Sequence, residues 1–139
     1  MITRILKSVI VVVLSSFLFA SCVSENTNTV EVTDMKQTYV NITPEQAKEI
    51  IENETGYVIL DVRTEEEFSQ GHIPGAILIP DYEISEKAES VLTDKNQTIL
   101  VYCRSGRRSK LAAQALADLG YTDIREFGGI IDWKYEIEK

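Results

Sequence analysis

From Tyr39 to the C-terminus the chain alternates short β-branched and aliphatic runs with stretches whose apolar positions recur at helical spacing. That alternation predicts an α/β domain with a mostly parallel sheet. Tyr39–Ile42 reads as a first strand. Thr43-Pro44-Glu45-Gln46 is a capping box with proline at the first helical position, so a helix is expected to open there and to bury Ala47, Ile50 and Ile51. Gly56 releases the chain into Tyr57–Asp61, a continuous apolar run that suits burial on both faces and ends on a charged residue. Thr64–Glu67 is a second capping box over a single helical turn, with Gly71 placed to stop it. Ala76–Ile79 predicts a third strand, Ser85–Leu92 a helix, and Thr98–Tyr102 a fourth strand, buried by pattern. The next helix has Leu111, Ala112, Ala115, Leu116 and Leu119 on one face and stops at Gly120. Ile124–Phe127 predicts a fifth strand, Gly128-Gly129 a hinge, and Ile130, Trp133 and Ile137 one face of a final helix.

The N-terminal part follows a different pattern. Arg4 and Lys7 precede Val9–Ala20, an apolar run that ends in Ala20-Ser21-Cys22. About 20 apolar residues are needed to cross the hydrocarbon core, and this shorter run is broken by Ser15 and Ser16, so it reads as a secretory signal rather than an anchor. Leu18-Phe19-Ala20-Ser21-Cys22 resembles a bacterial lipobox, although Phe19 stands where an aliphatic residue is usual. On this reading residues 1–21 are removed and Cys22 becomes a lipid attachment site, its two acyl chains sufficient for stable anchoring; the alternative is an ordinary signal peptidase cutting after Cys22 or Ser24. The polar, aromatic-free stretch that follows makes residues 22–38 a tether, and residues 39–139 the folded domain. The expected location is the bacterial cell envelope, facing the periplasm.

Composition narrows the function. The 139 residues carry 14 Lys+Arg against 22 Asp+Glu, a net charge of -8, with two cysteines and one histidine. Affinity for a polyphosphate backbone comes mainly from Lys and Arg, so a general nucleic-acid binder is excluded. A disulfide scaffold is excluded as well. Any anion must be bound locally. Arg104, Arg107, Arg108 and Lys110 fall within seven positions, and no acid stands between Lys95 and Asp118. This acidic chain thus concentrates positive charge around Cys103, at the exit of the fourth strand.

A strand, a tight loop containing Gly106 and then a helix form an arrangement in which successive backbone N–H groups converge on an anion, reinforced by the helix dipole. A cysteine at the start of such a cradle is expected to be a thiolate at neutral pH. Its position at the carboxyl end of a parallel strand is also where open α/β sheets place their ligand crevices. An inert core cysteine would account for the burial but not for three flanking arginines and a glycine.

Four ordered segments carry a family resemblance: Leu60-Asp61-Val62-Arg63 followed by Glu67-Phe68; Gly71-His72-Ile73-Pro74-Gly75-Ala76; the loop from Cys103 to Ser109; and Phe127-Gly128-Gly129 with Trp133. Together, over residues 39–139, they resemble a single-domain rhodanese, a thiosulfate sulfurtransferase. The resemblance implies a three-layer α/β/α domain with a five-stranded parallel sheet ordered 3-2-4-5-1, and Asp61 and Cys103 meeting near the mouth of one crevice. It implies Cys103 as catalytic nucleophile and Arg104, Ser105, Gly106, Arg107 and Arg108 as substrate-binding, with the loop backbone first, Arg108 next, then Arg107 and Arg104. Asp61 and Arg63 would brace the loop, and His72 would support the fold. The partners implied are a small anionic sulfur donor and a thiol acceptor, with no metal and no organic cofactor.

Two other functions compete on the same residues. Cell-cycle dual-specificity phosphatases share the fold and resemble His-Cys-x5-Arg, but this chain has Tyr102 before the cysteine and Ser109 where that pattern needs arginine, closing as Cys-x4-Arg at Arg108. A phosphatase or arsenate reductase is therefore disfavoured. A non-catalytic rhodanese-like binding module would typically lack the loop cysteine, which is present here. The Asp81–Asn96 region is a candidate wall of the crevice, and Lys134–Lys139 departs from the Gly-Pro ending often seen after the tryptophan in this family.

Overall fold

A computed structural model of the chain describes Thr38–Lys139. The expected signal segment, the expected lipid site at Cys22 and all but the last residue of the expected tether lie outside the described residues.

Nine regular elements follow one another as predicted in kind: β1 (Val40–Asn41), α1 (Pro44–Asn53), β2 (Tyr57–Asp61), α2 (Glu65–Gln70), β3 (Ile77–Leu78), α3 (Ile84–Val91), β4 (Thr98–Cys103), α4 (Arg107–Asp118) and β5 (Asp123–Gly129). Short 3-10 turns occupy Asp81–Glu83 and Ile130–Asp132. Both capping boxes form: Thr43 and Thr64 each accept the amide three residues on, and Gln46 and Glu67 reach back to the cap amides. The five strands are parallel, in the order β1-β5-β4-β2-β3. Read from the other edge this is the order 3-2-4-5-1 that the resemblance implied.

Alternation along β4 divides the interior into two layers. Ile99, Val101 and Cys103 pack with Ile84, Ala88, Ala112, Ala113 and Leu116 of α3 and α4. Leu100 and Tyr102 pack on the other face with Ala47 and Ile50 of α1, together with Phe127 and Trp133. A strand buried on both faces has no polar alternation to show, which is why β2 and β4 read as unbroken apolar runs.

Three expectations are corrected. The buried face of α4 is Ser109, Ala112, Ala113, Leu116 and Ala117, whereas Leu111 is 60% exposed and Ala115 and Leu119 are only half-buried. Small residues let the helix lie close on the sheet, and the helix turns Ser109 inward with them. Gly128-Gly129 is no hinge: it is the last part of β5, with Cys103 paired to Gly129 after a register shift. No final helix forms. After the Ile130–Asp132 turn the chain runs out to pair Glu138 antiparallel with His72, each amide donating to the other's carbonyl at 2.8 and 2.9 Å. Ile137 is exposed in consequence, while Trp133 remains buried and donates its indole N–H to the Glu136 carbonyl at 3.0 Å.

Candidate active site

Strand β4 delivers Cys103 to the carboxyl edge of the sheet, and Gly106 makes the return into α4 possible. Gly106 is the helix N-cap with φ +95, a left-handed conformation that costs a residue with a Cβ but not glycine. In this geometry its amide points back and donates to Cys103 Sγ at 3.0 Å. The Ser109 hydroxyl lies 3.4 Å from the same sulfur. Burial pushes the Cys103 thiol up, but hydrogen bonds from the Ser109 hydroxyl and from the backbone of Ser109, Gly106 and Ser105 outweigh it, and the net direction is down. Cys103 is 1% exposed, so its sulfur sits buried beneath the loop that starts with it.

Beneath the loop, the Asp61 carboxylate accepts both the backbone and side-chain N–H groups of Arg63, the closest contact being 2.7 Å, and Arg63 Nη2 also donates to the Gly71 carbonyl at 2.7 Å. Both residues are buried. The Tyr102 hydroxyl faces the same carboxylate and accepts the Ile73 amide at 3.1 Å. This polar knot ties the exit of β2 to the Gly71–Ile73 segment and to the residue before Cys103.

Asp61 does not reach the crevice mouth, contrary to expectation. It pairs in register with Tyr102, on the face of the sheet opposite Cys103. It is Arg63 and Arg104 that share a cavity of about 500 Å³ with Glu67, Ile130, Ile131 and Ile137. The Asp81–Asn96 region contributes nothing to that lining, and the C-terminal segment supplies the apolar side instead. His72 stands apart from Cys103. Its ring stacks on Phe68 at 3.7 Å and its Nδ1 lies 3.0 Å from the Phe68 carbonyl, which is a supporting position.

The basic side chains of the loop divide into two groups. Arg108 is held by Glu67 in a two-pronged pair, both contacts 2.8 Å, and the Arg108 guanidinium keeps the Glu67 carboxyl down at about 2. Arg104, Arg107 and Lys110 enter no ion pair among the described residues, whereas most of the other described cations do. Three cations without an ion pair among the described residues thus flank the buried cysteine in the chain. Three residues of the site were not singled out in the sequence. Glu67 appeared there as a capping residue and a motif position, Ser109 as the end of a motif and in the comparison with the phosphatase pattern, and Glu126 only as one position of a strand, none of them with a role at the sulfur. Ser109 could have been found from the helical spacing it shares with Ala112, Ala113 and Leu116, and Glu126 from standing two residues after Ile124, on the same face of the strand.

The Rhodanese-like domain family matches residues 43–136. The chain belongs to this rhodanese-like family. Among curated relatives, thiosulfate sulfurtransferase PspE of Escherichia coli (strain K12) is 42% identical over 73 residues, 52% of this chain and 70% of PspE. Putative sulfurtransferase YtwF of Bacillus subtilis (strain 168) is 36% identical over 89 residues, 64% of this chain and 84% of YtwF. The rhodanese-like segment also lies within longer proteins, and the match spans 24% of adenylyltransferase and sulfurtransferase UBA4 of Candida albicans. Among solved structures, a rhodanese with anions from E. coli superposes with a TM-score of 0.57 at 38% identity, covering 60% of this chain and 98% of that one. A rhodanese-related protein from Thermoplasma volcanium gives 0.63 at 31% identity, covering 72% and 98%. This rhodanese-like domain therefore has sulfurtransferases among its homologues, with a sulfur donor and a thiol acceptor as the general partners of such chemistry.

Proposed function

We propose that the chain is a sulfurtransferase that carries a sulfane sulfur on Cys103, taken from thiosulfate, a polysulfide or a persulfide and passed to a thiol or to cyanide. The observation that carries this reading is a buried sulfur met by the Gly106 amide at 3.0 Å and the Ser109 hydroxyl at 3.4 Å, beside cations that enter no ion pair among the described residues. Such a sulfur is an activated nucleophile that needs no separate base. With thiosulfate, the Cys103 thiolate attacks the outer sulfur. The sulfur–sulfur bond of the donor breaks, and sulfite leaves with the electron pair. The acceptor then attacks the outer sulfur of the Cys103 persulfide and restores the thiolate, so the cycle is ping-pong.

The donor's negative charge is met by Arg104 and Arg107, with Lys110 behind them, and by the loop amides; Arg108, occupied by Glu67, holds the loop rather than the donor. The arginines draw the donor in, and the loop amides, held in place by the backbone, act where charge develops on the leaving sulfite. The test is intact mass of the protein with and without thiosulfate, beside Cys103→Ser and a thiosulfate:cyanide turnover assay. A gain of one sulfur that needs Cys103 and disappears with cyanide is expected. Folded protein that gains no sulfur from thiosulfate or polysulfide, and makes no thiocyanate, overturns the proposal and turns the search to aryl phosphate, arsenate and a binding role.

The location belongs to the same reading. The apolar Val9–Ala20 run and the small residues before Cys22 support export and a lipid on Cys22. Expression with a labelled fatty acid should mark the wild-type protein and leave Cys22→Ala unmarked; an unmarked wild type would sink the lipid anchor.

A further inference from the structure

Glu126 is a buried carboxylate, 2% exposed, that no cation meets among the described residues. An unpaired buried carboxylate is expensive, and the other buried acid of the domain, Asp61, has its arginine. Glu126 has a serine instead. Its side chain lies on the α4 side of β5, the face that also carries Cys103. Its Oε1 accepts the Ser109 hydroxyl at 2.5 Å and the Gly128 amide at 2.9 Å. The Ser109 hydroxyl is the same one that lies 3.4 Å from Cys103 Sγ.

Sulfur, hydroxyl and carboxylate thus stand in a row whose middle member has a single proton to give. When Cys103 is a thiol, its S–H donates to Ser109 Oγ, and the Ser109 proton goes to the carboxylate at 2.5 Å in preference to the Gly128 carbonyl at 3.3 Å. When Cys103 is a thiolate, the sulfur competes with the Glu126 side chain and that carbonyl for the one serine proton.

We infer that Glu126 is a positioning residue for Cys103 that acts through Ser109: by accepting the hydroxyl proton, it fixes which way the hydroxyl points and limits how far that proton serves the sulfur.

Other groups around the row are few. Lys110 of α4, Asp132 of the following turn and Asn41 of β1 line a cavity of about 420 Å³ in which Glu126 also takes part, and neither charged group pairs with it. From β4 it faces apolar Val101, its register partner. On the sulfur side the charged neighbour is Arg108, already bound to Glu67.

The inference rests on Cys103 being the nucleophile, but its test does not need a sulfur donor. The rate of Cys103 alkylation by iodoacetamide, followed by intact mass across pH, reads the thiolate fraction directly. In Glu126→Gln the neutral amide oxygen holds the serine proton less strongly, so the alkylation midpoint should fall, with about tenfold more thiolate at a pH below it. In Ser109→Ala the midpoint should rise. In the double variant the Glu126→Gln shift should be absent. A shift of equal size with and without Ser109 would mean that the carboxylate acts through space, and would overturn the inference, as would an unchanged midpoint in Ser109→Ala alone. That single variant keeps the test decisive even where Glu126→Gln does not fold, which thermal unfolding reports. Sulfur gain measured on the same proteins separates the two readings: shifted midpoints without sulfur gain count against sulfur transfer, and sulfur gain with unmoved midpoints counts against the row.

Discussion

Gly129→Ala adds one methyl group and no charge beside the loop, and should nevertheless disable the site. Gly129 has φ −132 and ψ 153, an extended backbone that any residue adopts, so glycine is required there by space alone. A Cβ at this position would stand 2.0 Å from the Arg104 carbonyl oxygen, 2.4 Å from its carbon and 2.6 Å from the Ser105 Cα. All three are backbone atoms, so no side chain can rotate out of the way. Since real Cβ contacts below 3.0 Å essentially do not occur, β5 and the loop must part by about 1 Å. Overpacking of this kind costs about 1–3 kcal/mol, or roughly 5–20 °C in Tm for a domain this size. The displacement falls on the segment that carries the sulfur's amides. A hydrogen bond stretched from 3.0 Å by that amount is no longer one. Misplacement by about 1 Å can cost about 100-fold in rate, so thiosulfate:cyanide turnover should fall about 10- to 100-fold. The alkylation midpoint should also rise toward that of an ordinary thiol. Thermal unfolding establishes that the variant is folded at the assay temperature. A folded Gly129→Ala protein with turnover and midpoint both within about twofold of wild type would refute the claim that the end of β5 holds the loop in place.

Three further outcomes follow from the geometry. Replacing Arg104 and Arg107 together by alanine should raise KM for thiosulfate about three- to tenfold with little change in kcat, and should flatten the salt dependence of kcat/KM, measured by thiocyanate formation across ionic strength. Arg108→Ala should cost about 1–2 kcal/mol in urea unfolding near neutral pH, the pair being partly exposed. Glu67 has a folded-state value of about 2 against 4.5 unfolded, so its contribution is full above the unfolded value and the deficit of Arg108→Ala should shrink as pH falls from about 4.5 through about 2. Asp61→Asn leaves a buried guanidinium without its carboxylate and should cost about 3–5 kcal/mol by chemical denaturation; a loss below about 1 kcal/mol would contradict the description of the Asp61–Arg63 knot.

Much of the fold was legible because its signals are local. The two capping boxes are complete within four residues each, and β2 and β4 announce themselves by apolar runs that only a doubly buried strand sustains. The loop was legible for a similar reason: Cys103, Gly106 and the arginines are contiguous. What could not be read depends on distant partners. Leu111 looked like core and Ser109 like loop, but α4 packs small residues on the sheet, and the wanted position beside the sulfur goes to a serine. Ile130, Trp133 and Ile137 have helical spacing, yet the tail pairs with His72, far away in sequence, and that pairing overrides local preference. Glu67 meets Arg108 across 41 residues and Glu126 meets Ser109 across 17, so nothing beside either acid in the chain foretells its partner.

The contact between Gly129 and the Arg104 carbonyl also governs when the protein acquires a reactive thiol. Free of structure, Cys103 is an ordinary thiol with a value near 9.0, mostly protonated at neutral pH. Its amide donors are aligned only after Gly106 has turned the chain and β5 has docked against β4 to fix the loop from the far side. That strand is the last in the sheet to leave the synthesis machinery, and a parallel neighbour can join only after the intervening α4 has formed. An incomplete chain therefore carries a dull cysteine, shielded from stray disulfide exchange by its own proton. Nucleophilicity arrives with the final strand, which makes the rate of alkylation at Cys103 a measure of completed folding.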